Sequence, residues 1–376
     1  MSQSDSLWID LYANLANVFL NEHYCSYNIL NQLHFPDEQD PQMIMLIGSA
    51  SKTKAIRRLE PSLNSNGNHN KIHLRLAPGN TKVRSPILLA DCELHNDLLP
   101  SKSLCTPSVP SVEHHPLLWH QKVRTEGPDA NKLAYLVYAK LMCPFSTIVC
   151  LFADDLGGTA AVANLLASWL INSTYRSSDL PISTYPRILV LKADHRTPFN
   201  EEKATLEFMK ELAEEAKIRN RNLGQEPNER LPHHNFDALL RQYFGGLRIL
   251  TLPNNAAVQE ESEILKLENL WESLRARILQ GSQRIQDRRR KAQVAFSATH
   301  FKAFFHLACT HFAGDIITPF SFLKASRLAN PIPQDFASHI SNFLTKIKPS
   351  LVDSFAIPFI ASAMTLDSYP PGMHSK

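Results

Sequence analysis

The sequence predicts an α/β protein: a mostly parallel sheet with helices on both faces, followed by an α-helical C-terminal subdomain. Two observations carry the first part. Short continuous apolar runs, MIMLI at residues 43–47, PILLAD at 86–91, STIVCLFA at 146–153 and RILVL at 187–191, alternate with helical patterns. Strands buried on both faces read in this way, and strand–helix alternation is the mark of parallel crossovers. A third observation gives the C-terminal part: beyond residue 292 the pattern changes to Phe-rich helical segments separated by Pro-containing turns. We therefore expect a helix and linker over 1–42, the α/β domain over 43–292 and the helical subdomain over 293–376.

Taken in order, Leu7, Leu11, Leu15, Val18 and Phe19 recur at helical spacing, which predicts an amphipathic helix within residues 7–33. A polar linker leads to the first core strand. That strand runs into Gly48, a small polar loop and a segment of helix formers, SASKTKAIRRL. A buried strand, a tight loop and a helix N-terminus form the layout of a P-loop NTPase, in which backbone N–H groups and the helix dipole face a phosphate. Against Gly-x-x-x-x-Gly-Lys-Ser/Thr, Gly48 supplies the first glycine and Lys54 the lysine. Thr53 stands where the second glycine belongs, and Ala55 where the magnesium-binding hydroxyl belongs. Ser51 and Lys52 are further candidate donors in this loop.

Residues 61–70 (PSLNSNGNHN) are turn-rich, and KIHLRL at 71–76 alternates as a half-buried strand near a sheet edge does. PILLAD ends in Asp91, where a carboxylate at the C-terminal edge of a sheet can hold a magnesium ion. Residues 99–128 are rich in Pro, Ser and His, and are expected to leave the sheet. Their histidines His114, His115 and His120 have no Cys or carboxylate partner at ligand spacing, so a metal site is not predicted from them.

Helices are predicted over 130–142, 158–171, 201–219 and 260–292, with a last strand at 247–252. The acids of ADDLGG, Asp154 and Asp155, are read either as lining the crevice outside the strand ends or as capping the helix that follows. RILVL leads into Lys192 and Asp194 of LKAD, the pattern by which a lysine and a carboxylate read a guanine base. The run Arg284, Arg288, Arg289, Arg290 and Lys291 is expected to be the solvated end of the long helix. Further helices are predicted over 297–312, 336–347 and 355–367.

A net charge of +3 gives no ground for nucleic-acid binding. Six cysteines without a Cys-x-x-Cys pair read as buried thiols of a reducing compartment. The N-terminus lacks a basic region, and the longest apolar run, 141–153, is interrupted by Pro144 and too short for a bilayer. We therefore expect a cytoplasmic protein without a transmembrane segment.

The Gly48 loop, PILLADCE, TIVCLFADDLGG, FSATHFKAFF, SFLKASRLANP and LDSYPPGMH together resemble the N-terminal region of large fungal proteins that carry a patatin-like phospholipase domain downstream. The resemblance covers roughly residues 43–374. In that family this region is itself similar to a P-loop GTPase, with a fuller phosphate loop and Asp-Cys-Glu-Gly where this chain has Asp91, Cys92, Glu93 and Leu94. The resemblance implies nucleotide binding or regulation, with GTP and magnesium as cofactors or, in a degenerate member, none. Lipase chemistry is not implied, since no Gly-x-Ser-x-Gly nucleophile elbow occurs in the sequence. Hydrolysis of GTP is not expected either, because Ala55 lacks the hydroxyl and no catalytic Gln follows Asp91. Two functions follow: a weak nucleotide-binding regulatory module, a pseudoenzyme, or a scaffold that acts through a protein partner.

Overall fold

A computed structural model describes residues 6–13, 17–59, 71–94, 111–121, 130–172, 177–193, 199–222, 240–241, 243–253, 261–329 and 335–367. Among the described residues nine strands form one sheet: β1 (Leu7–Ala13), β2 (Val18–His23), β3 (Gln42–Ile47), β4 (Lys71–Leu76), β5 (Ile87–Glu93), β6 (Val112–Pro116), β7 (Ser146–Phe152), β8 (Arg187–Ala193) and β9 (Leu247–Leu252). Their order is β6-β2-β1-β4-β5-β3-β7-β8-β9. The strands β5, β3, β7, β8 and β9 are parallel to one another. The other four pairings, β4 with β5, β1 with β4, β1 with β2 and β2 with β6, are antiparallel. The sheet is therefore mixed rather than mostly parallel.

The N-terminal segment causes the difference. Where a helix is expected, the chain forms β1, β2 and a 3-10 segment, Tyr24–Gln32. The apolar spacing of four from Leu7 to Leu11 fits a strand as well as a helix, because four is also an even number of alternations. The β-prone Trp8, Ile9, Tyr12, Val18 and Phe19 decide for the strand. This hairpin pairs with β4, which consequently lies inside the sheet and not near its edge. Part of the segment expected to leave the sheet, Val112–Pro116, returns as the edge strand β6.

The remaining strands sit where their apolar runs place them. Along β3, Met43, Met45 and Ile47 face one core, while Ile44 and Leu46 face the other. The second core is covered by α1 (Ala50–Leu59) and the long helix that ends in the basic run. The helices in order are α1, a single turn α2 (Leu118–Gln121), α3 (Ala130–Leu136), α4 (Thr159–Asn172), α5 (Glu201–Asn222), α6 (Glu261–Lys291), α7 (Ala298–Gly314), α8 (Phe322–Ala329), α9 (Phe336–Thr345) and α10 (Ile357–Asp367). The C-terminal region is thus helical, with α8 formed by the segment FLKASRLA.

Helix α7 packs on the antiparallel half of the sheet. Its Phe301 and Phe305 meet Trp8, the Phe305 ring centroid lying 4.1 Å from that of the indole. By contrast, Leu351, Phe355, Ile357 and Phe359 around the start of α10 remain exposed. No helix among the described residues is long and apolar enough to cross a membrane.

The basic run at the end of α6 is not a uniformly solvated face. Arg289 is fully buried and donates to the carbonyl oxygens of Pro144, Phe145, Ser146 and Thr184, at 2.7–3.3 Å. Burial holds its pKa down at about 10. Arg290 forms a two-pronged ion pair with Asp40, with Nε–Oδ2 and Nη2–Oδ1 distances of 2.6 and 2.9 Å. Arg284, Arg288 and Lys291 fit the expected exposure.

Candidate functional site

The ends of β5, β3 and β7 lie side by side, and each strand delivers one part of the site. Helix α1 begins just past Gly48, so its first amides point into the crevice outside the strand ends, where an anion is favoured. A carboxylate of the chain itself fills that position. Asp155, on the loop after β7, accepts hydrogen bonds from the amides of Ser49 at 2.7 Å, Ser51 at 2.8 Å and Lys52 at 2.9 Å. Ser51 and Lys52 are the second and third residues of the helix, whose amides are the donors that a capping side chain normally satisfies. Asp155 therefore caps α1 from about a hundred residues away, and not the helix that follows it in sequence. Asp154 takes a separate role, accepting from the Ala193 amide at the end of β8 at 3.1 Å.

Gly48 is required by this contact. A Cβ there would lie 2.6 Å from Asp155 Oδ2 and 2.9 Å from Phe152 Cβ. The close approach that a phosphate loop reserves for its ligand is used by an internal side chain.

The lysine that turns inward is Lys52, and the expected phosphate ligand Lys54 is exposed. The periodicity of α1 explains this. Lys52, Ala55 and Ile56 share the buried face at i, i+3 and i+4, while Lys54, Arg57 and Arg58 share the solvent face. Lys52 Nζ lies 2.7 Å from Asp91 Oδ1, 3.1 Å from Glu93 Oε2 and 3.2 Å from the Cys92 carbonyl oxygen. Arg75 Nη2 lies 3.6 Å from Asp91 Oδ2. Two cations thus face two carboxylates in a closed cluster, and the carboxylate expected to hold magnesium meets an ammonium group.

Burial and the neighbouring Arg75 push the His73 pKa down to about 4, against the opposing pull of Asp91. Burial drives the Cys92 thiol far up, which leaves it without thiolate character for nucleophilic chemistry. The amide of Leu94, at the position of the glycine that would meet a terminal phosphate, instead donates to the Tyr138 hydroxyl at 2.8 Å.

Among the other expected site residues, Ser51 and Thr53 lie half-buried in the first turn of α1 and Ala55 is packed in the core. The Thr53 amide is already bonded to the Ser49 carbonyl oxygen. Lys192 is half-buried in β8, paired with Thr251 of β9. Asp194, the proposed base reader, lies outside the described residues. The structure thus brings Gly48, Ser51, Lys52 and Asp91 together and leaves Lys54 apart. Among the described residues this set does not fit GTP with magnesium: the amides that would cradle phosphate are bonded to Asp155, and Lys52 is held by Asp91 and Glu93.

Glu93 and Asp155 complete the site without having been singled out for these contacts. For Lys52 a usable signal existed in its apolar helical face. For the pairing of Asp155 with α1 the local sequence carries none, because the two segments are joined only by the order of strands. No protein-family model matches this chain, and no curated protein sequence matches it.

Proposed function

We propose that this chain is a non-catalytic scaffold and interaction module, built on a degenerate GTPase-like P-loop domain and related to the N-terminal region of fungal patatin-like phospholipase proteins. One observation carries the choice of scaffold over nucleotide binder: the Asp155 carboxylate sits on the three amides of the phosphate-loop position. The strand order β4-β5-β3-β7-β8-β9, with a loop and helix start at the central β3, supports the ancestry. The internal carboxylate stands in for the phosphate and makes the fold self-sufficient.

A nucleotide has to expel Asp155 before it can bind. Expulsion forfeits a charged helix cap, about 2–3 kcal/mol from typical capping and dipole contributions. At about 1.4 kcal/mol per tenfold, this weakens phosphate affinity by about 30- to 150-fold. The function under this reading is carried by the surface, through a protein partner in the cytoplasm.

Thermal unfolding with millimolar magnesium GTP, GDP or ATP tests the reading. A ligand at one hundred times its Kd stabilises the folded state by about 2.7 kcal/mol. We expect no nucleotide-dependent rise in Tm; a saturable rise specific to guanine nucleotides contradicts the scaffold and restores the binding module.

A further inference from the structure

The edge strand β6 is anchored by a single buried side chain, His115, which is 5 % exposed. It looks onto an unusual set of neighbours. Glu22, opposite Glu113 in the β2–β6 register, is 0 % exposed, and Glu113 and His115 share one face of β6 at i, i+2. Helix α7 crosses above and contributes His306 and Cys309 from one face at i, i+3. His115 Nε2 lies 3.2 Å and His306 Nδ1 3.0 Å from the same oxygen, Glu22 Oε2. His306 Nδ1 is 3.8 Å from Glu113 Oε2. The donor atoms of Glu22, His115 and Cys309 all lie within 4.8 Å of one another, as do those of Glu113, His115 and His306.

Burying the Glu22 carboxylate costs several kcal/mol unless an opposite charge compensates it. Among the described residues its ion-pair partners are imidazoles, and its remaining oxygen accepts from the Tyr27 hydroxyl at 2.6 Å. A second carboxylate, Glu113, stands nearby and adds to the negative potential. A divalent cation compensates the carboxylates and is coordinated by a cysteine as thiolate.

We propose that Glu22, His115, His306 and Cys309 bind one zinc ion, which clips β2 and β6 to helix α7. Two neutral imidazoles, one carboxylate and one thiolate balance the ion's charge, and the N, O and S donors suit tetrahedral zinc. Donors at about 2.0–2.3 Å from zinc are separated by about 3.3–3.8 Å in a tetrahedron, so the contacts of His115 and His306 with Glu22, at 3.2 and 3.0 Å, need only small adjustments. Tyr27 orients Glu22, while Glu113 and the Tyr24 hydroxyl, which are bonded to each other, flank His306 as outer partners. The clip joins ligands up to 287 residues apart, from Glu22 to Cys309, so its binding energy is folding energy. The histidine-rich stretch 114–120 thus acquires the Cys and carboxylate partners that its local sequence lacks.

Metal analysis of the untagged full chain, purified without added metal or chelator, tests the site. We expect about one zinc per chain, a Tm that falls on chelation and is restored by micromolar zinc, and a thiolate-to-metal charge-transfer band on cobalt substitution. Cys309→Ser, nearly isosteric, should abolish the band and weaken zinc binding by at least about 100-fold. His115→Ala should do the same, while His114→Ala, on the exposed side of β6, should retain zinc. Circular dichroism of each variant separates loss of metal from loss of fold, and the wild-type chelation series does not depend on any variant. Absence of zinc together with no stabilisation of the wild-type chain by zinc overturns the site. Zinc retained by both Cys309→Ser and His115→Ala, or bound cobalt without the charge-transfer band, overturns it equally.

Discussion

Removing the Asp155 carboxylate should free the first amides of α1 and destabilise the chain by a predictable amount. Three amides lose a charged acceptor at 2.7–2.9 Å. Loss of a helix cap costs about 0.5–2 kcal/mol, and the lost interaction of the anion with the dipole adds about 0.3–1 kcal/mol. The third amide, of Ser49, brings the sum to about 2–3 kcal/mol, with water replacing part of the bonding because Asp155 is only half-buried. At about 2.1 cal/mol/K per residue, unfolding 376 residues carries about 0.8 kcal/mol/K, so Asp155→Ala should lower Tm by about 2.5–4 °C. Asp155→Asn should lose roughly half as much, keeping one acceptor oxygen. Asp154→Ala, which removes one exposed contact, should fall within about 0.5 kcal/mol. Differential scanning calorimetry reads all three. The opened variant should also gain stability from sulfate over chloride, while the wild type should not. Equal effects of Asp155→Ala and Asp154→Ala, or sulfate stabilisation of both chains alike, refute the capping role.

Three further outcomes follow from the same geometry. Lys52→Met leaves Asp91 and Glu93 without their nearest cation and should cost about 3–5 kcal/mol in denaturant unfolding, whereas Lys54→Ala should change stability by less than about 0.5 kcal/mol; the reverse order contradicts the assignment of the inward lysine. Arg289→Met orphans four buried carbonyl contacts and should cost about 3–5 kcal/mol, while Arg284→Ala should be near neutral; equal small effects would return the basic run to solvent. His73 is held neutral in the folded state with a pKa of about 4 against an ordinary value of 6.5, so the unfolded chain binds more protons between those values and stability rises with pH across that window. His73→Gln should flatten that part of the stability profile, and an unchanged slope refutes the contribution.

Much of the parallel half of the sheet is legible in the sequence, because a strand buried on both faces must be apolar at every position. MIMLI, ILLAD and IVCLF could not be exposed on either side, and they form β3, β5 and β7. The antiparallel half is less legible because LWIDLYA satisfies helical and alternating periods together, and pairing with β4 over some sixty residues selects the strand. The inward lysine was within reach, since Lys52 shares a helix face with Ala55 and Ile56. Matching the loop by motif spacing favours Lys54 instead, because the motif's second glycine is absent and its register has no anchor. Asp155 illustrates the limit in the other direction. Two acids before a helix read as its cap, yet strand order places the second acid over the start of a different helix. In the same way, His115 meets Glu22, His306 and Cys309 only through the register of β2 and β6 and the crossing of α7.

A crystal structure of the full chain grown in millimolar magnesium GTP tests most directly whether the amides at the start of α1 are held by the protein's own carboxylate. We predict Asp155 bonded to the amides of Ser49, Ser51 and Lys52, with Lys52 held by Asp91 and Glu93. Phosphate density on those three amides, with Asp155 swung away and Lys52 turned toward the nucleotide, contradicts it.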